Sequence, residues 1–309
     1  MPELPEIETI KTGLKKYLIG CEIVGIEVKI PKMFIGNKKD VIGLKITNLK
    51  RIGKGLIFEL ENNYMLIAHL KMTGQFVYRD NSTKNIALSK KIGGETLPSK
   101  YSHVIFKLKT SSFAKASEDK QRLKALGIEG LDAFLYYNDL RQFGWIKVIK
   151  EDELMNIPFF KEMGPEPFIS KAMDGKPLTL EYFQNIVQKG NLPIKVFLMD
   201  QKRIGGIGNI YANDALNLAK IDPRRKGKTL KEKEIKKLYD SIFFIIKKSL
   251  EYGGSSDENF VNALGQEGSY QNHALVYGKK GQKCPNCKGI IEKTKLGGRG
   301  TFFCPLCQQ

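Results

Sequence analysis

The sequence opens Met-Pro-Glu-Leu-Pro-Glu-Ile-Glu, and its second residue is an unusual reagent. An initiator Met before a small residue such as Pro2 is normally removed, which leaves Pro2 with a free secondary amine. Such an amine can attack an electrophilic carbon and form an iminium ion, an electron sink of the Schiff-base kind. Glu3 lies beside it, and Glu6 follows one helical turn later on the same face. Two carboxylates next to an amine provide a general acid/base and a charge stabiliser. On the residues alone a plainer reading is the stronger one, in which Pro and acidic side chains simply start a helix.

The other end of the chain offers metal chemistry. Four of the five cysteines, Cys284, Cys287, Cys304 and Cys307, read C-x2-C, sixteen residues, C-x2-C. Each knuckle can present two thiolates to one tetrahedral ion, and the stretch between them can form a hairpin. Zinc fits this spacing better than two disulfides in a chain of intracellular character. With all four positions filled by protein, the zinc is structural. Cys21 is left over, as a small buried apolar residue. The hairpin places a Gly-rich turn around Arg299, which can approach a phosphate closely or stand as a solvated turn.

Much familiar chemistry is missing. Only His69, His103 and His273 are available, which argues against a His-built catalytic metal centre. There is no Walker A pattern and no G-x-S-x-G. Gly205-Gly-Ile-Gly-Asn209 lies between two helical patterns, whereas a dinucleotide loop follows a strand. Its glycines suit backbone N–H groups and a helix N-terminus brought up to a DNA phosphate.

These groups need elements to hold them. Leu4, Ile7, Ile10, Leu14 and Leu18 recur at helical spacing, so residues 1–20 predict an amphipathic helix ended by Gly20. Short β-like runs follow at 23–30, 56–60, 64–69, 103–108, 134–137 and 145–149, which predicts a sandwich or barrel. Stretches 80–100 and 111–130 interrupt it, and the second reads as a surface insertion. After Ile157-Pro158 helical patterns take over, at 180–188, 194–201, 209–219 and 230–252. Gly-Pro-Glu-Pro at 164–167 looks like a linker, and 253–268 like a long mobile loop.

The 309 residues suggest about two domains. Lys plus Arg number 51 against 33 Asp plus Glu, a net charge of +18. That favours a polyanionic partner, although solubility alone would also explain it. No apolar run is long enough to span a bilayer, and no signal peptide is expected.

Pro2-Glu-Leu-Pro-Glu-Ile-Glu-Thr9, the Gly206-Ile-Gly-Asn-Ile-Tyr-Ala212 turn and the terminal four-cysteine ribbon occur together in that order. In that combination the chain resembles the bacterial formamidopyrimidine-DNA glycosylases of the endonuclease VIII-like superfamily, nearly end to end. The resemblance implies an α+β multidomain fold: an N-terminal β-sandwich flanked by helices (1–152), a linker (153–168), a helix–two-turn–helix domain with a lid loop (169–277) and a zinc finger (278–309). It implies excision of oxidised purines, chiefly 8-oxoguanine and formamidopyrimidines, and then β,δ-elimination at the abasic site. The partner would be double-stranded DNA, the cofactor one structural zinc, and the protein a monomer of the bacterial cytosol and nucleoid.

The resemblance also assigns residues. Pro2 is the implied nucleophile, Glu3 the general acid/base, Glu6 a further carboxylate near the site and Lys54, in Arg51-Ile-Gly-Lys54, a catalytic-site lysine. His69-Leu-Lys-Met72 resembles the loop whose Met fills the gap left by an extruded base. Asp139-Leu-Arg141-Gln-Phe143-Gly144 resembles the loop whose Arg pairs with the orphaned base and whose Phe wedges the stack. Flipping a base leaves a hole and an unpaired partner, and both must be filled. Asn209 and Arg299 match phosphate contacts, and Lys195 a lysine implicated in lesion handling. An endonuclease VIII-type enzyme for oxidised pyrimidines usually has Gly where Leu4 stands and lacks the Met72, Arg141 and Phe143 trio. A damaged-DNA binder without catalysis has no need of Pro2, Glu3 and Lys54.

Overall fold

The computed structural model describes residues 1–110, 132–167 and 175–309. The stretch read as a surface insertion, 111–130, and the last residue of the expected linker lie outside the described residues. The chain forms two compact units. The first comprises Met1–Pro2, Glu6–Ile157 and Ser255–Gly268; the second comprises Glu3–Pro5, Pro158–Gly254 and Ser269–Gln309.

The first unit is the expected sandwich. Helix α1 (Leu4–Leu18) is followed by nine strands: β1 (Glu22–Val28), β2 (Phe34–Ile35), β3 (Ile46–Ile52), β4 (Gly55–Leu60), β5 (Tyr64–His69), β6 (Gly74–Arg79), β7 (Ser102–Lys109), β8 (Asp132–Asp139) and β9 (Trp145–Lys150). One sheet has the order β1-β7-β8-β6, the other β2-β9-β5-β4-β3. Their inward residues, among them Ile23, Phe76, Phe106, Leu135 and Tyr137 from one sheet and Leu49, Phe58, Leu66 and Ile146 from the other, form one core. Ile7, Ile10, Leu14 and Leu18 of α1 join it, as their helical spacing requires. Burying each such side chain contributes about 1.5–3 kcal/mol. Strand β1 stops before Pro31, short of the expected residue 30, because Pro31 opens a 3-10 turn.

Segment 255–268 departs from the mobile loop read in the sequence. Phe260 and Ala263 are buried in the sandwich core, and Val261 packs with Val77 and Ile92. Backbone bonds hold it as well: Tyr78 N donates to Ala263 O and Ser89 N to Gly265 O, both at 2.8 Å. The composition shows turn residues, but three apolar side chains at 260, 261 and 263 find partners that are remote in sequence.

The second unit is helical. It contains α2 (Pro158–Lys161), α3 (Leu180–Gln188), α4 (Ile194–Leu198), α5 (Asn209–Ala219), α6 (Glu232–Glu251) and α7 (Tyr270–His273), then the hairpin β10 (Glu292–Leu296) and β11 (Arg299–Phe303). Helix α4 ends three residues earlier than the periodicity suggests. Its continuation is a turn, in which Arg203 N and Ile204 N donate to Asp200 O. Leu4, Phe183, Phe197, Tyr211, Leu238 and Ile242 belong to one core. Among the described residues no helix is long and apolar enough to cross a membrane.

Candidate active site

In the second unit, Glu3 is seated on a helix end. Leu4 N donates to Gly206 O at 3.0 Å, which fixes the backbone beside Glu3. Ile210 N, in the first turn of α5, donates to Glu3 Oε1 at 2.9 Å. Gly208 occupies the N-cap position of α5 and has no side chain to cap it. The Glu3 carboxylate takes that role, at the positive end of the helix dipole. An amide expected from the sequence to face a phosphate is therefore already engaged. The glycines make this approach feasible: a Cβ on Gly208 would lie 2.3 Å from Glu3 Cδ, and one on Gly206 would lie 2.6 Å from Leu4 Cδ1. Gln201 braces the loop, accepting from Gly206 N at 2.9 Å and donating to Ile207 O at 2.7 Å.

Asn209 starts α5 and is half-buried. Asn213, one turn on, donates to Asn209 O and accepts from Phe302 N of β11, at 2.5 and 2.7 Å. Lys195 of α4 is fully buried and donates to Gly300 O at 2.7 Å and to Thr301 Oγ1 at 2.8 Å. Burial, opposed by Glu3 and aided by Arg299, lowers its pKa to about 7.

Arg299 is exposed. It follows a two-glycine turn, Gly297-Gly298, with φ values of 54° and 76°, and pairs with Leu296 across the hairpin. The sequence reading puts this Arg at the tip of the turn; it stands just after the tip instead, because both turn positions need φ > 0 and glycine supplies it.

Below this hairpin, Sγ atoms of Cys284, Cys287, Cys304 and Cys307 all lie within 4.8 Å of one another. Cys284 and Cys307 are 3.7 Å apart, Cys287 and Cys304 3.5 Å. A tetrahedron with Zn–S bonds of about 2.3 Å needs sulfur separations of this size. One structural zinc fits the four thiolates. The ribbon is tied to α5 by Asn217, whose Nδ2 donates to Gln308 Oε1 at 2.8 Å and whose Oδ1 accepts from Asn286 at 3.0 Å.

The first unit holds the remaining candidates. Pro2 is buried. The Met1 ammonium pairs with Glu258 at 2.8 Å, and while Met1 is attached the Pro2 nitrogen is an amide. Glu6 is 1% exposed and accepts from Ser255 N at 2.8 Å. Lys54 is buried in the two-residue turn between β3 and β4, where Ile52 pairs with Gly55. Gly55 in turn pairs with His69 of β5. Burial, with Lys71 and Lys54 nearby, lowers the His69 pKa to about 3. Lys71 N donates to His69 Nδ1 at 3.0 Å, so the neutral ring carries its proton on Nε2.

The loops bearing Met72 and Arg141 are brought together by residues that sequence reasoning passed over. Asp139 is fully buried. It accepts from Thr73 Oγ1 at 2.5 Å, Arg141 N at 3.1 Å and Gly144 N at 2.7 Å. Thr73 Oγ1 also accepts from Arg141 N at 3.0 Å. An Asp opening a loop that closes on Gly was the available signal. Arg141 is exposed and stacks 5.0 Å over the Phe143 ring, itself 54% exposed. Met72 is half-buried.

Comparison with known proteins follows the same division. Residues 1–146 match the model of the formamidopyrimidine-DNA glycosylase N-terminal domain, and 163–260 that of its H2TH domain. Residues 281–309 match the zinc finger found in FPG and IleRS. The formamidopyrimidine-DNA glycosylase of Lactococcus lactis subsp. cremoris is 36% identical, with all of both chains covered. The chain belongs to the formamidopyrimidine-DNA glycosylase family. The formamidopyrimidine-DNA glycosylase of Streptococcus mutans is 34% identical, again over the whole of both chains. Among solved structures, a Lactococcus lactis FPG mutant bound to a Fapy-dG containing DNA superposes with a TM-score of 0.79 at 34% identity, covering all of both chains. MutM in complex with carbocyclic 8-oxo-G containing DNA gives 0.78 at 34%, with the same coverage.

Proposed function

We propose that the protein is a bifunctional DNA glycosylase and AP lyase of base-excision repair, removing 8-oxoguanine and formamidopyrimidines from double-stranded DNA. The observation that carries this reading is Glu3, directly bonded to Pro2 in sequence and held by the α5 N-terminus at 2.9 Å. A pure DNA binder has no use for a carboxylate fixed beside an N-terminal proline. Full-length relatives solved with Fapy-dG and abasic-site DNA support the same reaction class.

With Met1 removed, the Pro2 amine attacks C1′ of the damaged nucleotide. The C1′–N bond breaks, and the base leaves with a proton. Glu3 is the acid and base that relays protons at the sugar. The Pro2 nitrogen gives up its proton, and the C1′–O4′ bond then breaks as Glu3 protonates O4′, which opens the sugar and leaves an iminium ion between Pro2 and C1′. This acidifies the C2′ proton, so the 3′ phosphate is eliminated first and the 5′ phosphate second. Lys54 supplies positive charge at the site. Met72, Arg141 and Phe143 fill the stack after the nucleotide is flipped, and their presentation on loops tied by Asp139 suits that use. Asn209 and Arg299 grip phosphates, as the +18 charge would favour. We place the protein, as a monomer, in the bacterial cytosol with the nucleoid.

The test is covalent capture. Purified protein is incubated with a duplex containing 8-oxoguanine opposite cytosine, and borohydride is added. An adduct that disappears with Pro2→Gly supports the mechanism; tight binding without an adduct sinks it. A parallel dihydrothymine duplex separates purine from pyrimidine preference.

A further inference from the structure

Glu8 is the third carboxylate of the opening motif, and the chemistry above leaves it without a task. Its side chain is 11% exposed, where a charge needs a partner. Arg51 provides one: Nε donates to Glu8 Oε2 at 2.8 Å, from a side chain that is fully buried. Lys11, on the same face of α1 and 4% exposed, lies 2.7 Å from Glu8 Oε1. Two cations thus converge on one carboxylate in the interior of the first unit.

The guanidinium has a second attachment. Arg51 Nη1 donates to Gly53 O at 2.9 Å. Gly53 has φ of 60°, and its carbonyl belongs to the peptide bond with Lys54. A guanidinium is a planar fork, so one donor on Glu8 and another on that carbonyl set the turn against α1 in both distance and orientation. Lys54 shares this two-residue turn with Gly53. Stability alone is a weak reason for such an arrangement, because well-packed apolar residues commonly serve as well as a buried ion pair.

We infer that Glu8 and Arg51 are positioning residues: the Glu8–Arg51–Gly53 chain of hydrogen bonds fixes the turn from which Lys54 acts. The inference rests on the role given to Lys54 in the proposed function. A displacement of about 1 Å at such a group can cost two orders of magnitude in rate.

The test is a double-mutant cycle on the full chain with Met1 removed. Glu8→Gln, Arg51→Lys and Lys54→Gln are made singly, and each of the first two is combined with Lys54→Gln. Arg51→Lys keeps the charge but lacks the fork that spans Glu8 and Gly53. Single-turnover borohydride capture and duplex affinity are measured on the 8-oxoguanine duplex, with melting curves as the folding control. We expect Glu8→Gln and Arg51→Lys to slow capture by about tenfold or more with affinity near wild type. Combined with Lys54→Gln, neither should slow it beyond Lys54→Gln alone, because coupled groups are not additive. Additive losses would overturn the inference, as would capture at the wild-type rate in both single variants. If Glu8→Gln fails to fold, the Arg51→Lys arm decides; failure of both to fold assigns the pair to stability and overturns it. Wild type that forms no adduct overturns the glycosylase reading and this inference together.

Discussion

Glu3 and Ile210 are 207 residues apart in sequence, yet the Ile210 amide donates to Glu3 Oε1 at 2.9 Å. The relationship turns a flexible carboxylate into a helix cap, with its orientation set by a backbone. Gly208 permits it, since its absent Cβ would fall 2.3 Å from Glu3 Cδ. Gly208→Ala should displace the carboxylate and slow base excision by about 10- to 100-fold, with folding retained. Single-turnover cleavage beside a melting curve checks this; wild-type cleavage by a folded variant would refute the seating of Glu3.

On the proposed mechanism, Pro2 gains its free amine only when Met1 is removed. The Met1 ammonium pairs with Glu258 through partly exposed side chains, 31% and 49%, a pair worth about 0–1 kcal/mol. Retaining Met1 should therefore abolish covalent capture and leave the melting temperature nearly unchanged. Mass spectrometry establishes which preparation retains Met1, and borohydride capture with a melting curve on the matched preparations reads the two quantities.

Zinc removal should act beyond the ribbon. Structural zinc contributes about 10–16 kcal/mol to comparable finger peptides, and Asn213 and Asn217 bind the ribbon to α5. Chelation should melt the β10–β11 hairpin, expose α5 amides to hydrogen exchange and weaken DNA binding. Unchanged exchange in α5 after verified zinc loss would disprove the coupling.

Lys195 makes a pH prediction. Its folded pKa, about 7, is below the ordinary value of 10.5. Between those values the unfolded chain binds the extra proton, so the Lys195 contribution to stability rises with pH in that window. Below about pH 7 the buried charge is carried in the folded state, and its penalty is present in full. The melting temperature of wild type minus that of Lys195→Met should increase as pH is raised from 6 to 9. His69, with a pKa near 3, stays neutral throughout and should add no titration to the rate profile there.

Gly265 tests the anchoring of 255–268. It has φ of 74°, and a Cβ there would lie 2.6 Å from Leu88 Cδ2 and 2.8 Å from Ile92 Cδ1. Gly265→Ala should cost about 1–3 kcal/mol and loosen the segment that presents Ser255 N to Glu6. Faster hydrogen exchange across 255–268, with the β10–β11 hairpin unaffected, is the expected outcome.

The strictly local features were legible in the chain. Two C-x2-C knuckles determine a four-thiolate site, because each ligand pair needs only a short turn. The spacing of Leu4, Ile7, Ile10, Leu14 and Leu18 determines a helix and its buried face. Proline at position 2 marks the amine on which the proposed chemistry rests, and the glycines at 297 and 298 mark a turn without fixing which residue stands at its tip. Tertiary structure alone decided how remote groups meet. Glu3 has its amide at 210, Glu6 at 255, Glu8 its guanidinium at 51 and Lys195 its carbonyl at 300. Segment 255–268 read as a mobile loop because its composition is that of turns, while its order comes from Val77, Ile92 and the sandwich core. A hydrogen bond or an apolar contact depends on distance in space, and sequence periodicity reports only the geometry of a single element.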